Sequence, residues 1–286
     1  MNKKIISMAV AAALVAPMAA QAEVKVSGRV ALELTSSNNV MDFVDHGMNR
    51  LEFVGTQGDW TAKLGLDMRQ LGNNAAQWTG QRDAWVAVKM GGGSLTMGRA
   101  STVVANLEGD KFIGTFLQMR GAAVDAGQFG SGSFNNEVIQ YKTKVGGANL
   151  GVEYVLSADA DASVNTGHYA VALKGKAGSL GYYVGMNNGA GAANNMKVGA
   201  SMEMGGMNVR LGMDNYAASK LNLGVDMKMA GGTLDITFAD KGNNAASSYT
   251  RIAYMTKAAG ADLHAGYAMN GTDGADTFGV GVTVKF

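Results

Sequence analysis

Few residue types in this chain could do covalent or metal chemistry. The 286-residue sequence has no cysteine and only three histidines, His46, His168 and His264. Thiolate nucleophiles and disulfides are therefore excluded. None of the histidines lies in a recognisable lipase or protease motif. They are therefore better interpreted as ordinary residues of the barrel wall, and a hydrolase is only an alternative. Methionine is abundant, but it follows the apolar face of predicted strands, so no metal site and no cofactor are predicted.

The charged residues near the start of the chain follow a two-residue period. In VKVSGRVALEL, Lys25 and Arg29 alternate with Val24, Val26 and Val30. Such alternation is typical of a β-strand with one polar and one apolar face. The same parity gives the polar face of the early strands six basic residues: Lys25, Arg29, Arg50, Lys63, Arg69 and Arg82.

A second group of charges lies in one long interval, from about Val103 to Asn135, where the alternation stops. It contains the acids Glu108, Asp110 and Asp125. Arg99 precedes this interval, and its parity places it with the apolar residues of its strand unless Gly98 or the strand end shifts the register. Later basic residues such as Lys197 and Arg251 are interpreted as solvated residues of the sheet surface.

The N-terminus predicts a secretory signal peptide over residues 1–22. Two lysines precede an apolar stretch, which ends in Ala20-Gln21-Ala22. Its removal takes two of the 24 basic residues and leaves 22 against 23 acidic ones. A chain so close to neutral has no basic excess that would indicate a nucleic-acid partner.

Glycine turns and the lack of proline indicate a sheet with nearly every strand paired. The chain has 41 glycines, and its one proline, Pro17, lies in the predicted signal peptide. Proline is excluded from the interior of a sheet because it cannot donate to the ladder. Alternating segments between short glycine turns and longer polar loops predict sixteen strands, at 24–35, 48–57, 60–69, 81–90, 94–102, 136–145, 148–157, 167–176, 179–187, 195–204, 207–216, 219–229, 232–240, 249–258, 261–269 and 276–286.

This pattern predicts an all-β fold, a transmembrane antiparallel β-barrel with its apolar face toward lipid. An even strand number and short turns alternating with longer loops are typical of outer-membrane barrels. A charged face cannot fill a dry core, and a barrel of sixteen strands is wide enough to hold water. A soluble β-sandwich is the alternative, but no strand has the features of a protected edge. The barrel domain is expected to span residues 23–286.

Two stretches resemble the Gram-negative general porins. RDAWVAVKMGGGSLTMGRAST, residues 82–102, is similar to their fourth and fifth strands, in which an Arg-x-Ala-aromatic-Val run leads into a strand that ends in Gly-Arg. NNEVIQYKTKVGGANLGVEYV, residues 135–155, resembles the strand pair after their constriction loop. The resemblance implies a sixteen-stranded barrel in the outer-membrane lipids, usually a homotrimer, that passes ions and small hydrophilic solutes by passive diffusion.

The resemblance also implies a pore constriction. The third external loop is expected to fold into the lumen, with Glu108, Asp110 and Asp125 opposite a basic wall of Lys25, Arg29, Arg50, Lys63, Arg69, Arg82 and Arg99. Arg99 is expected to point inward, because an arginine on the lipid face costs roughly 2–4 kcal/mol. Instead of the family's Pro-Glu-Phe-Gly-Gly-Asp type of motif, the loop has only Leu107-Glu108-Gly109-Asp110. Neutralising Glu108 and Asp110 is expected to move selectivity toward anions.

Three other functions are weighed against a general diffusion channel. A channel selective for one solute would show an aromatic track or a lumen of one charge sign. A structural or adhesive barrel would have a blocked lumen and large external loops. A barrel-embedded hydrolase would need one of the histidines as a base.

The last ten residues, TFGVGVTVKF, predict the strand that closes the barrel. Alternation continues to Phe286. This strand must pair with the first predicted strand, near VKVSGRVALEL, to leave no open edge in lipid. Aromatic residues near strand ends, among them Trp60, Trp85, Tyr141, Tyr254 and Phe286, are expected to form interfacial girdles. By the porin resemblance, a strand ending in Phe286 is the signal for the outer-membrane insertion machinery.

Overall fold

A computed structural model describes residues 23–44, 49–68, 81–112, 114–118, 134–156, 169–188, 194–215, 220–240, 248–269 and 276–286. The predicted signal peptide at 1–22 lies outside these described residues, as do Arg69, Asp125, His46 and His168. Within the described ranges, no helix is long and apolar enough to cross a membrane.

The described residues form seventeen β-strands, each antiparallel to its neighbours, in a single sheet. Their bounds are β1 Glu23–Ser37, β2 Val40–Val44, β3 Arg50–Gln57, β4 Trp60–Asp67, β5 Gln81–Met90, β6 Gly93–Ser101, β7 Phe134–Val145, β8 Ala148–Val155, β9 Tyr169–Ala177, β10 Leu180–Asn188, β11 Asn194–Met204, β12 Met207–Asp214, β13 Lys220–Met229, β14 Gly232–Asp240, β15 Tyr249–Ala258, β16 Ala261–Met269 and β17 Thr277–Lys285. From β3 to β17, each strand pairs with the next one along the chain.

The sheet closes on itself through β1. One edge of β1 pairs with β17, in a register that runs from Arg29↔Lys285 to Ser37↔Thr277. The other edge pairs with β3 over Glu23–Arg29 and with β2 over Glu33–Ser37. Because β2 and β3 share that edge, they occupy one strand position, and the barrel has sixteen positions. The predicted fold class, a closed antiparallel barrel, is confirmed.

Among the strands of the described residues, β2 is the one that the sequence pattern did not predict. Residues 36–47 were expected to form a loop, and that expectation is wrong over Val40–Val44. Asn38 and Asn39 adopt φ values of 50° and 62°, which lets the chain reverse in a tight hairpin onto β1. An Asn-Asn pair between β-forming residues is a hairpin signal of this kind.

The predicted seam between the two ends of the chain is confirmed. Beyond the β1–β17 ladder, the Gly28 amide donates to the Phe286 carbonyl at 2.8 Å, and the Phe286 amide donates to the Gly28 carbonyl at 3.1 Å. Gly28 has no side chain where the Phe286 ring lies, and a Cβ there would be 2.6 Å from the ring. The first and last strands therefore hold each other in place.

One face of the barrel wall is apolar and exposed, as alternation requires. Val26, Met213, Ile252 and Phe278 are each at least half exposed, which is the pattern of a surface that contacts lipid. Tyr254 lies on this wall beside a short turn, and its hydroxyl donates to the Ala230 carbonyl at 2.8 Å. We call the opposite face, which carries the charged residues, the polar face.

Trp85 is a second correction, because it does not lie on the exposed apolar face. It packs against the buried residues Ala100, Val138 and Val155. It also shares its parity with Asp83 and Ala87, which are both buried. Its assignment to an interfacial girdle is therefore wrong, and the residue belongs to the polar face.

The register shifts at Gly98, next to Arg99. Gly98 pairs with Val138, whereas Ala100 pairs with Asn135, so β7 has one residue more than β6 between these pairs. Gly98 adopts a φ of 127°, which residues with a Cβ rarely adopt. The irregularity ends the regular alternation of β6 just before the long interval begins.

Candidate functional site

The first charged group of the polar face lies on β1 to β6. We call it the basic wall: the cations Lys25, Arg29, Arg50, Lys63, Arg82 and Arg99, together with the acids Glu52, Asp67 and Asp83. Strand register brings these residues side by side, since Arg29 pairs with Arg50 and Arg50 pairs with Asp67. Of the predicted basic residues, only Arg69 lies outside the described part of the chain.

The acids of the basic wall separate its cations. The Glu52 carboxylate lies 3.2 Å from Arg50 Nε and 3.1 Å from Lys63 Nζ. Lys63 Nζ is also 3.5 Å from Asp83. These three cation and acid side chains keep a contact with solvent, at 25% exposure for Arg50, 19% for Lys63 and 16% for Glu52. The wall is thus a partly hydrated array of alternating charges.

Arg82 and Arg99 are neighbours in the basic wall, and both guanidinium groups lie near the ring of Phe134. The pairing of β4 with β5 shifts between Gly65 and Leu66, which leaves Arg82 without a register partner, and its Nη1 reaches Asp67 at 3.4 Å. Arg99 Nε donates to the carbonyls of Gln81 at 3.0 Å and Arg82 at 3.1 Å. The guanidinium carbons lie 4.5 Å (Arg82) and 5.8 Å (Arg99) from the ring centroid of Phe134.

The second charged group is built around the β6–β7 segment, defined as residues 102–112 and 114–118. Buried Glu153 of β8 holds its start, accepting from Thr102 Oγ1 at 3.1 Å and from the Val103 amide at 3.0 Å. Farther along, Val104 and Leu107 pack on Ala170, Ala172 and Tyr183 of β9 and β10. Residues Phe112, Phe116 and Leu117 pack on Ala239, Tyr249, Ala253 and Ala268 of β14 to β16. The segment therefore lies against the polar face of the later strands.

Glu108 and Asp110 pair with cations of those later strands. Glu108 Oε2 lies 2.6 Å from Lys197 Nζ, and the two side chains are 4% and 1% exposed. Asp110 Oδ1 lies 2.9 Å from Arg251 Nη1, with both side chains fully buried. The expectation that Lys197 and Arg251 are solvated is wrong, because the β6–β7 segment covers them.

The contacts of Asp110 extend into a network of six charges. We call it the covered network: Asp110 of the segment with Arg210, Asp226, Asp235 and Arg251 of the strands, together with Lys111 of the segment, whose side chain stays 45% exposed. Arg251 Nε lies 2.7 Å from Asp235, and Lys111 Nζ lies 3.0 Å from Asp226. Arg210 contacts both Asp226 and Asp235. Three cations and three acids balance one another, so the network carries no net charge.

A third link attaches the end of the segment to β1. The Phe116 amide donates to both carboxylate oxygens of buried Glu33 at 3.1 Å. His264 Nε2 lies 2.6 Å from Glu33 Oε1. His264 therefore positions a carboxylate that holds the chain, a role that strand alternation by itself does not indicate.

No arrangement for metal binding was found in the part of the chain that the structure describes. Groups of three or more histidine, cysteine, aspartate or glutamate side chains with suitable spacing are missing from those residues. Their carboxylates instead contact lysine, arginine and histidine side chains or backbone amides.

The comparisons with known proteins agree with this geometry. A family model described as Gram-negative porin matches residues 8–286. No curated protein matches the chain. Among solved structures, a mutant of the Rhodopseudomonas blastica porin has a TM-score of 0.70 at 17% identity, with 92% of this chain and 100% of that chain covered.

A second similar structure comes from another organism. It is a loop-deletion mutant of OmpT, described as an outer membrane protein of Vibrio cholerae, with a TM-score of 0.64 at 15% identity. The match covers 93% of this chain and 99% of that chain. At such identities the likeness of the structures shows the barrel fold, and the family match extends over nearly the whole sequence. The chain belongs to the Gram-negative porin family, and its barrel resides in the outer membrane.

Proposed function

We propose that the protein is a porin whose barrel encloses a water-filled channel for passive diffusion of ions and small hydrophilic solutes. The observation that carries the proposal is the division of one closed wall into an exposed apolar face and a charged face. Partly hydrated ion pairs such as Arg50–Glu52 and Lys63–Glu52 line the charged face. Such a face needs water, since charges in a dry core are costly even when they are paired.

The β6–β7 segment is the part of the chain that narrows this channel. Its contacts with β8 to β11 and β13 to β16 support a path along the inner surface of the barrel. The constriction then lies between the segment and the basic wall, with Lys25, Arg29, Arg50, Lys63, Arg82 and Arg99 on the wall side. Arg69 and Asp125 belong to the same proposed constriction by their place in the sequence.

Glu108 and Asp110 have a different role from the one that the sequence predicts for them. Their carboxylates lie against Lys197 and Arg251 and are nearly or fully enclosed. They therefore attach the segment to β11 and β15, and the water at the constriction contacts other groups.

Conductance in a planar bilayer tests the channel. Purified protein that shows the heat-dependent gel mobility of a folded barrel is expected to give stepwise, ohmic currents in potassium chloride. A folded sample that inserts without any conductance would contradict the proposal and favour a structural barrel with a blocked lumen. The same preparation should not hydrolyse phospholipid or peptide substrates, and turnover lost on H264A would indicate a barrel-embedded hydrolase.

Assembly into homotrimers and insertion through the C-terminal strand are further parts of the proposal. The paired amides of Gly28 and Phe286 support a role for the last residue in closing the barrel. Deletion of Phe286 should lower the yield of folded, membrane-inserted protein more than it lowers the conductance of the molecules that do insert. Cross-linking in native membranes tests whether the protein is a trimer. Equal insertion yields for the wild-type protein and the variant without Phe286 would exclude the role of Phe286.

A further inference from the structure

The two charged groups of the polar face differ in net charge. The covered network is neutral, and Glu108 is neutralised by Lys197. The cations of the basic wall outnumber its acids. Part of the basic wall forms an ion-pair array, in which three acids lie among five cations: Glu52, Asp67 and Asp83 among Arg29, Arg50, Lys63, Arg82 and Arg99. Counted over these described residues, the array has an excess of two positive charges.

The acids of the β6–β7 segment cannot offset this excess in the water of the channel. Asp110 and Glu108 lie within 2.9 Å of a buried cation each, so a mobile ion experiences them as compact, neutral pairs. The field of a neutral pair falls off faster with distance than that of a net charge, and ions at about 0.1 M screen what is left beyond roughly 10 Å. Net charge at the hydrated wall then decides which ions accumulate.

We infer that the channel prefers anions, and that the basic wall, not the acids of the β6–β7 segment, sets this preference. The inference rests on the proposed channel function and names its substrate class: inorganic anions and small solutes that carry carboxylate or phosphate groups. The sequence predicts an electric field across the pore, between the acids of the loop and the basic wall. The inference replaces it with a field of one sign that comes from the basic wall. Arg50 and Lys63 are the specificity-determining residues, because their side chains are 25% and 19% exposed, against 14% for Arg82, and both contact the Glu52 carboxylate.

Reversal potentials in a zwitterionic lipid bilayer test the inference. With a tenfold gradient around 0.1 M potassium chloride, the wild-type channel should pass chloride at least about twofold better than potassium, and the ratio should approach one near 1 M salt. R50Q and K63Q should each lower the chloride-to-potassium ratio by roughly twofold, because each removes one charge a few ångströms from the ion path. R50K is the matched control, since it keeps the charge and should keep the ratio.

Two further variants separate the wall from the rest of the barrel. K257Q removes an equal charge from a side chain that is 85% exposed beside a short turn, and it should leave the ratio unchanged. The double variant E108Q/K197Q removes one charge of each sign from the covered pair and should also leave it unchanged. The heat-dependent gel mobility identifies folded samples. If the double variant does not fold, the comparison of R50Q with R50K still decides whether the basic wall sets the ion preference.

The outcomes distinguish the inference from the channel function itself. A conducting wild-type protein that prefers potassium would overturn the inference and leave the channel intact. The same holds if R50Q and K63Q conduct with the wild-type ratio. Absence of conductance from folded, inserted protein would overturn both.

Discussion

The basic wall on β1 to β6 and the covered network on β12 to β15 contain the same residue types but differ in their surroundings. In the basic wall, Arg50 is 25% exposed and its partner Glu52 is 16% exposed. In the covered network, Arg251 and Asp235 are fully buried and 2.7 Å apart. The β6–β7 segment accounts for the difference, because its residues cover one part of the polar face and leave the other in contact with solvent.

The comparison shows how one set of charges can serve two purposes. A buried cation that loses its partner is strongly destabilising, so the covered charges hold the segment in place. Hydrated pairs contribute little to stability, but under the proposed channel function their net charge would act on passing ions. In that proposal, exposure and not residue type separates residues that hold the segment in place from residues that select solutes.

The largest expected effect is that of replacing Arg251 with methionine. R251M leaves Asp110 and Asp235 buried without their shared cation, which should lower the free energy of unfolding by about 3–5 kcal/mol. It should also loosen the β6–β7 segment and make the conductance larger and noisier. K257M, an exposed position on the same strand, is the control, and equal urea midpoints for the two variants would contradict the anchoring role.

Removing Glu33 should have the next largest effect. E33A leaves the Phe116 amide and His264 without the carboxylate that they contact, at a cost of about 1–3 kcal/mol. Urea unfolding followed by tryptophan fluorescence measures the loss. E23A, at an exposed position of the same strand, should leave the midpoint unchanged, and a similar shift in both variants would mean that the contact with Phe116 is not stabilising.

Gly98 tests the backbone beside the basic wall. G98A should cost about 1–3 kcal/mol, because alanine at a φ of 127° is strained and its Cβ would contact the Ala84 carbonyl. G55A is the matched control, since a Cβ at Gly55 meets no atom within 4 Å. Thermal midpoints from gel mobility compare them, and a tolerated G98A would show that the register shift does not depend on glycine.

The smallest effect on stability is expected for Lys63. In K63Q, Glu52 still has Arg50 and Asp83 still has Arg82, so the loss should be about 1 kcal/mol or less. The same variant should change the ion selectivity. A loss as large as that of R251M would remove the distinction between the two charged groups.

Strand positions were predictable from the sequence because each depends on local alternation. The sixteen predicted strands correspond to the sixteen positions of the barrel, and the pairing of Phe286 with Gly28 agrees with alternation that continues to the last residue. Strand β2 was missed because its hairpin depends on Asn38 and Asn39, a weaker turn signal than the glycine pairs elsewhere. Trp85 was misplaced because alternation counted from Arg82 puts it on the apolar face, whereas the register shift that leaves Arg82 without a partner puts Asp83, Trp85 and Ala87 on the polar face.

The partners of the charged residues were less predictable. Parity indicated that Lys197, Arg251 and His264 belong to the polar face, but parity gives no information about which part of that face a crossing segment covers. Glu108 and Lys197 are far apart in sequence, and several cations lie at comparable positions on other strands. The choice among them depends on where Val104, Leu107, Phe112 and Phe116 find apolar surface to bury.

The sequence by itself determined the fold class, the closure of the barrel and the face of charges in regular strands, such as Lys25, Lys63 and Arg251, because a two-residue period and turn chemistry are local properties. Arg82 and Arg99 lie beside register shifts, where alternation alone does not decide the face. Only the tertiary structure decided which charges are covered and which contact water. That choice depends on the packing of one segment against strands more than a hundred residues away, as in the hydrogen bond from the Tyr249 hydroxyl to the Leu117 carbonyl. Burial then sets the energetic role of each charge, since the cost of an unpaired ion rises steeply as water is excluded.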